Sequence, residues 1–190
     1  MSQRVVISGC SSGGKSTLLA ALRDRGYAVM EEPGLRVVRA QQETGGRALP
    51  WVDADAFLVE VERVARDDLR ASDGLDSWVF FDRGLIDARS ARAAMSGQPI
   101  GSLLTASPYH PLVFLAPPWP EIYEKTAERQ HDFEEAKQEY ERLLADYPKL
   151  GHEVMVLPKV SVDQRVEFVL SVLAEGEGEG EGEGKEEKVR

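Results

Sequence analysis

The chain has 190 residues, of which 42% are hydrophobic and 7% aromatic, and its formal net charge is -10. This length suits one well-buried domain, and the composition is that of a globular α/β protein rather than a disordered or membrane chain. An acidic chain lacks the basic footprint that nucleic acid requires, and the single cysteine, Cys10, excludes an internal disulfide and a cysteine-based metal cage. No secretory signal is readable, so we expect a cytoplasmic protein that binds neither nucleic acid nor membranes.

Five short apolar runs alternate with helical patterns along the chain. A nearly continuous apolar run is typical of a strand that is covered on both faces. The alternation predicts a mostly parallel sheet with helices on both sides, and in such sheets ligands bind beyond the carboxyl ends of the strands. The predicted strands are residues 4–9, 27–32, 78–83, 112–117 and 154–158.

The first predicted strand leads directly into the stretch GCSSGGKST and then into a helical pattern. This stretch has the spacing G-x-x-x-x-G-K-[ST] in the strand-loop-helix context of a phosphate-binding loop. Backbone amides and the helix N-terminus would surround the phosphates. Lys15 would reach the terminal phosphates of ATP, and Ser16 would bind Mg²⁺. The predicted nucleotide contacts are Gly9, Ser11, Ser12, Gly13, Gly14, Lys15, Ser16 and Thr17.

After the second strand, EEPGLR places Glu31, Glu32 and Arg36 next to the phosphate loop. A carboxylate at this position can orient an acceptor hydroxyl and accept its proton. One of the two glutamates is therefore the candidate base, with Glu32 preferred, and Arg36 is a candidate substrate contact. The alternative is that both acids are N-terminal charges of the helix that follows.

The third strand ends in Asp82, followed by Arg83. Asp82 matches the second nucleotide-binding motif, whose carboxylate holds Mg²⁺, although an aspartate at a strand end can also simply form a turn. Arg83 is either a structural ion-pair partner or a clamp on substrate phosphates. Trp51 and Phe57 precede this strand, and the helix around them is a candidate wall of the acceptor pocket; Trp51 could equally pack in the core.

The fourth strand ends in the proline-rich stretch APPWP, which marks a loop into a charged segment. This segment is the candidate lid, and its cations Lys125 and Arg129 could neutralise charge on the transferred phosphoryl group. Arg129 is the preferred candidate. We expect the three histidines, His110, His131 and His152, to be structural or solvated, because none has a partner at metal or triad spacing.

Helical patterns precede and follow the fifth strand. The first of these patterns has an apolar face at Phe133, Ala136, Tyr140, Leu143, Leu144 and Tyr147. Residues 1–174 are predicted to form the domain. Residues 175–184 alternate Glu and Gly and are followed by KEEKVR, and we expect residues 175–190 to form a disordered acidic tail.

Taken together, these motifs resemble the small P-loop family that includes the ribosylnicotinamide kinase domain of NadR and many bacterial proteins called AAA-family ATPases or predicted kinases. The resemblance covers about residues 3–174 and rests on GCSSGGKST, EEPGLRVVR, FFDRG, LVFLAPPWPEIY, ERQHDFEEAKQEYERLL and VSVDQR. It implies a nucleoside- or nucleotide-kinase fold with Mg-ATP as donor, Lys15 and Ser16 on phosphate and metal, Asp82 at the metal and Arg129 in the lid. Gly84 departs from the serine or tyrosine that nucleoside kinases tend to have, which puts an acceptor contact there in doubt.

We therefore predict a P-loop kinase whose five strands lie in the order 2-3-1-4-5 and which transfers the γ-phosphoryl of Mg-ATP to a small-molecule hydroxyl. Its partners are ATP and the acceptor, and it is a monomer or a homodimer. The alternative is an ATPase or nucleotide-binding regulatory module without an acceptor. A GTP-binding switch is disfavoured because the chain contains no asparagine for the guanine-reading Asn-Lys-x-Asp element.

Overall fold

The computed structural model describes residues 3–102, 106–122 and 132–180. Within these residues every strand is followed by an α-helix, as the sequence predicts, and two consecutive helices separate the second strand from the third. In order they are β1 (Arg4–Gly9), α1 (Lys15–Asp24), β2 (Ala28–Met30), α2 (Pro33–Thr44), α3 (Ala54–Ala71), β3 (Val79–Asp82), α4 (Leu85–Ser96), β4 (Leu112–Ala116), α5 (Phe133–Lys149), β5 (Glu153–Val156) and α6 (Val162–Gly180).

The five strands form one parallel sheet in the order β2-β3-β1-β4-β5, which confirms the predicted order. β1 lies at the centre, where Ile7 is in register with Asp82 of β3 and with Phe114 of β4. The carboxyl ends of β1 and β3 are therefore adjacent. This register brings the phosphate loop after β1 next to the Asp82-Arg83 pair.

Each face of the sheet packs against its own helices. Successive residues of a strand point to opposite faces, so Val6 and Phe81 join one apolar cluster while Ile7 and Phe80 join the other. The first cluster includes residues of α4 and α5, and the second includes residues of α1 and α6. Burial on both faces explains why the strands are nearly continuous apolar runs.

Local sequence signals fix several helix ends. The Asp53 side chain accepts a hydrogen bond from the Ala56 amide at 3.0 Å and caps α3. Asp132 and Glu135 form a reciprocal capping box at the start of α5, with both bonds at 2.9 Å. Pro33 begins α2, which ends before Gly45 in the left-handed conformation, at φ 67°.

Three features differ from the predicted elements. The second strand is shorter, because Pro33 starts a helix and Glu31 and Glu32 have already left the sheet. Leu144 is 38% exposed rather than on the buried face of α5, since Leu143 and Tyr147 already occupy the stripe that faces the sheet. Trp51, predicted to be either pocket wall or core, is 44% exposed on the surface.

The last helix continues past the predicted domain boundary at residue 174. α6 reaches Gly180, and a Cβ on Gly176 would lie 3.7 Å from Leu112 Cδ1, so this turn still packs beside β4. Residues 181–190 lie outside the described residues, and their disorder stays a prediction. None of the helices in the described ranges has the length and apolar character needed to cross a bilayer.

Candidate active site

The phosphate loop connects β1 to α1 in a conformation that its glycines make possible. Gly9 has φ 105° and Gly14 has φ 78°, both in the region that L side chains rarely adopt. A Cβ on Gly9 would lie 2.4 Å from the carbonyl oxygen of Ala116, at the end of β4. The neighbouring strand therefore approaches the loop so closely that only glycine fits.

Lys15 lies at the first position of α1 and is only 4% exposed. Its Nζ donates a hydrogen bond to the Cys10 carbonyl at 2.9 Å, and the Gly13 amide donates to the same oxygen at 3.2 Å. Burial, followed by the nearby positive charge of Arg83, lowers the pKa of Lys15. The ammonium group is thus held inside the loop at the place where the terminal phosphates of a nucleotide would need it.

Arg165 of α6 holds the other end of the loop, although no sequence motif predicts this role for it. Its guanidinium donates to the carbonyl of Gly14 at 3.0 Å and to that of Gly13 at 3.5 Å. The peptide bonds are all trans in the described residues, so each carbonyl points opposite to the next amide. By binding these carbonyls, Arg165 turns the amides of Gly14 and Lys15 away from itself.

Arg165 is itself fixed by its surroundings. It is 3% exposed, its guanidinium carbon lies 5.5 Å from the ring centroid of Trp119, and its Nη2 donates to Thr17 Oγ1 at 3.4 Å. Burial lowers the pKa of Arg165. The stretches APPWP and VSVDQR contribute Trp119 and Arg165, respectively, but neither pattern indicates that the two side chains meet.

Asp82 and Arg83 follow one another at the end of β3. Asp82 is 7% exposed and lines a cleft together with Ser16 of α1. Arg83 adopts φ 62°, a left-handed conformation that is uncommon for a side chain of this size. Its amide donates to the Ile7 carbonyl at 3.0 Å, which ties this turn to β1.

The Arg83 side chain is surrounded by carboxylates. Glu139 of α5 accepts two hydrogen bonds from it at 2.9 Å each, and Glu32 and Asp87 lie 3.6 and 3.5 Å away. Burial disfavours the charge of Arg83, but these carboxylates outweigh it and hold the pKa of Arg83 well above its usual value. Arg83 also donates to the Gly9 carbonyl at 3.0 Å. Arg83 and these carboxylates thus form a buried ion-pair centre.

Asp87, one turn further along the chain from Arg83, forms a buried hydrogen-bond network that no sequence motif predicts. Its carboxylate accepts hydrogen bonds from the Gly84 amide at 3.0 Å, from the Tyr147 hydroxyl at 2.8 Å and from the Ser8 hydroxyl. These bonds link β1, α4 and α5. The residues are far apart in sequence, so no local pattern could have predicted the network.

The two candidate bases occupy different environments. The Glu32 side chain is 16% exposed and lies beside Arg83, whereas that of Glu31 is 61% exposed and pairs with Arg23 at 3.5 Å. Both line the same cleft as Asp82 and Ser16. Glu32, which is also the N-cap residue of α2, is the more enclosed of the two.

Arg36 also lines this cleft. Its Nη1 binds both carboxylate oxygens of Asp68, at 2.7 and 2.9 Å. Phe57 of α3 packs against the first turn of α2: a Cβ on Gly34 would lie 3.6 Å from the Phe57 ring. Trp51 is not among the residues that line the cleft.

The predicted lid residues lie outside the described part of the chain, and two of the histidines lie away from the cleft. Lys125, Arg129 and His131 lie outside the described residues. His110 and His152 are 5% and 6% exposed. His152 Nδ1 lies 3.0 Å from the His110 carbonyl, and His110 Nδ1 accepts a hydrogen bond from the Leu112 amide at 3.1 Å, consistent with structural roles.

The donor atoms at the end of the cleft suit a hard cation. Mg²⁺ prefers oxygen ligands and is typically bound by one or two protein groups, together with phosphate oxygens and water. The Asp82 carboxylate and the Ser16 hydroxyl line one cleft beside the phosphate loop. Among the described residues, no group of three or more His, Cys, Asp or Glu forms an all-protein metal cage.

Residues 4–165 match the family model AAA_28, described as an AAA domain. No curated protein matches the chain. The structure is similar to thymidylate kinase from Candida albicans, with a TM-score of 0.69 and 15% identity over 92% of each chain.

Two further solved structures share this architecture. Deoxyadenosine kinase from M. mycoides with bound dATP has a TM-score of 0.63 and 14% identity over 90% of this chain and 98% of that chain. Shikimate kinase from Acinetobacter baumannii in complex with shikimate has a TM-score of 0.57 and 13% identity over 91% of this chain and 93% of that chain. At these identities the likeness shows the fold alone, which is that of the P-loop nucleotide and shikimate kinases.

Proposed function

Because this chain belongs to the AAA_28 family of AAA domains and has the fold of the P-loop kinases, we propose that it transfers the γ-phosphoryl group of Mg-ATP to a hydroxyl of a small molecule. One observation carries this proposal. Ser16 lies in α1, Asp82 ends β3 and Glu32 precedes α2 as its N-cap residue, and the three line one cleft next to the buried Lys15.

The donor half of the site is the phosphate loop. The amides that Arg165 turns away from itself, together with those at the start of α1, bind the phosphates of ATP, and Lys15 exchanges the Cys10 carbonyl for the terminal phosphates. Ser16 and Asp82 would hold Mg²⁺, which when bound neutralises charge on the β- and γ-phosphate oxygens. Ser11, Ser12 and Thr17 complete the loop around the nucleotide.

The acceptor half is the cleft between α1 and α2. Glu32 accepts the proton of the acceptor hydroxyl while that oxygen forms a bond to the γ-phosphorus. The bond from phosphorus to the bridging oxygen breaks, and ADP leaves. Arg83 lies between Glu32 and the Gly9 carbonyl, so it positions the base relative to the loop. Arg129 of the predicted lid completes the site on closure.

The resemblance to the ribosylnicotinamide kinase domain of NadR makes a nucleoside-like acceptor one candidate among several. An ATPase or regulatory nucleotide-binding module without an acceptor is the competing function. We expect a cytoplasmic monomer or homodimer.

Three variants test this assignment. Lys15→Ala should abolish measurable Mg-ATP binding in calorimetry. Glu32→Gln should bind Mg-ATP within about threefold of the wild type and lower kcat at least about 100-fold, the scale expected for loss of a general base. Glu31→Gln, which alters the more exposed neighbour, should lower kcat much less.

The assay is ADP release in the presence of nucleosides, sugars, vitamins and aminoglycosides, with nicotinamide riboside included. Retained transfer in Glu32→Gln would disprove the assigned base. If the chain binds Mg-ATP but neither these compounds nor small anionic hydroxy compounds raise ADP release above the basal rate, the module without an acceptor becomes the better explanation.

A further inference from the structure

The cleft that contains Glu32 and Asp82 is small. It encloses about 220 Å³ between α1 and α2, below the roughly 300–1,000 Å³ typical of pockets for drug-sized ligands. Its lining residues on each helix follow helical spacing, so each helix contributes one face along its length. The cleft runs along these two helix faces from an inner end, next to the phosphate loop, to an outer end, and the two ends carry different side chains.

The inner end carries Ser16, Glu32 and Asp82, and the outer end carries the three arginines Arg23, Arg36 and Arg39. At a rise of about 1.5 Å per residue, Arg23 lies about 10 Å along α1 from Ser16. By the same measure, Arg36 and Arg39 lie about 6 and 10 Å along α2 from Glu32. A molecule whose hydroxyl reaches Glu32 would have its far end among guanidinium groups.

Arg36 is pre-oriented for binding. Its Nη1 makes both hydrogen bonds to Asp68, whose side chain is only 9% exposed. Nε and Nη2 of Arg36 make no hydrogen bond within the described residues, so that edge of the guanidinium can still bind a ligand. A guanidinium already fixed by a buried acid loses little further freedom when it binds an anion in the bidentate manner.

The pair of Glu31 and Arg23 at the outer end does not prevent anion binding. Glu31 and Arg23 are 3.5 Å apart, and their side chains are 61% and 52% exposed. Such exposed pairs contribute little free energy, so an incoming anion can replace Glu31 as the partner of Arg23. Glu32 and Asp82 belong to the inner end, where the metal and the acceptor hydroxyl are expected.

We propose that the acceptor carries an anionic group, a carboxylate or a phosphate monoester, that is bound by Arg36 with Arg23 and Arg39 about 6–10 Å from its reacting hydroxyl. This inference rests on the proposed function. Such a site would accept small hydroxy acids or phosphorylated hydroxy compounds in preference to neutral nucleosides, sugars and cationic aminoglycosides.

The first experiment measures ADP release with matched probes. The carboxylate arm compares shikimate and quinate with their methyl esters, and the phosphate arm compares ribose 5-phosphate and nucleoside 5′-monophosphates with ribose and the nucleosides. We expect stimulation by anionic members of one arm and at least tenfold less by their neutral partners. Stimulation only by neutral or cationic compounds overturns the inference and leaves the proposed function standing. Mg-ATP binding with no stimulation by any probe overturns both.

The second experiment changes the arginines. With the most active anionic probe, Arg39→Gln and Arg36→Lys should raise the KM of the acceptor at least tenfold, while the KM of ATP and kcat change less than threefold. Arg36→Lys keeps a cation beside Asp68, so folding should survive. Arg47→Gln, which removes an exposed arginine between α2 and α3, is the matched control and should leave the acceptor KM unchanged. An unchanged acceptor KM in both cleft variants also overturns the inference.

Discussion

Truncating Glu139 to alanine removes the closest partner of the Arg83 guanidinium. Breaking a buried ion pair by deleting one partner costs about 3–5 kcal/mol. Here the cost should be smaller, because Glu139 is 31% exposed and Arg83 keeps Glu32, Asp87 and the Gly9 carbonyl within 3.6 Å. We expect the unfolding free energy to fall by about 2 kcal/mol, which for a chain of this size lowers Tm by about 4–8 °C.

Thermal and urea denaturation, followed by circular dichroism, measure this change. The matched control is Glu141→Ala, on the same helix but exposed, for which the unfolding free energy should change by less than about 0.5 kcal/mol. Equal stability losses in the two variants would show that the loss comes from α5 itself and would refute the role assigned to the Arg83 centre.

Three further predictions concern the same centre and the phosphate loop. Burial alone would raise the pKa of Glu139, but Arg83 holds it below its ordinary value of 4.5. The wild type should therefore be more stable than Glu139→Gln by the full amount above about pH 5, and this difference should shrink as the pH falls through the lowered pKa. Urea titrations from pH 7 to pH 3 measure the difference in unfolding free energy. Arg165→Ala should weaken Mg-ATP binding at least tenfold in calorimetry and leave the affinity for adenosine nearly unchanged. The reason is that Arg165 binds the carbonyls of Gly13 and Gly14 and so orients backbone amides that donate to phosphate oxygens, which adenosine lacks. Arg165→Lys should restore part of the lost affinity. Gly14→Ala should also weaken Mg-ATP binding at least tenfold, since its Cβ would lie 2.7 Å from Arg165 Nη1, whereas Gly26→Ala has a similarly positive φ but open space around it and should bind normally.

The sequence predicted those features of the fold that depend on local patterns. Continuous apolar runs identify strands covered on both faces, and the phosphate loop follows from residue types at fixed spacing. Adjacent carboxyl ends in a parallel sheet then bring Glu32 and Asp82 to one edge. The shorter second strand was less predictable, because Tyr27 continues the apolar pattern but does not belong to the strand.

Contacts across long sequence separations could not be predicted in this way. Glu139 reaches Arg83, and Arg165 reaches Gly14, although more than 50 residues separate the members of each pair. A charge on a helix usually indicates a solvated face, and nothing in the local pattern distinguishes Glu139 from the exposed Glu141. The identity of such partners is decided by the packing of α5 and α6 against the sheet.

Arg83 shows why stability and transfer should be tested at its partners rather than at Arg83 itself. The sequence left open whether it is an ion-pair partner or a phosphate clamp, and the structure gives it three carboxylate neighbours and the Gly9 carbonyl. Removing Arg83 would therefore disturb the loop, the base and α5 together. The two variants separate these effects. Glu139→Ala affects the attachment of α5 to Arg83, whereas Glu32→Gln changes a residue that also lines the cleft. If Arg83 served stability alone, Glu139→Ala would lower Tm and leave kcat at permissive temperature unchanged; a parallel loss of kcat would show that the ion-pair centre also positions Glu32.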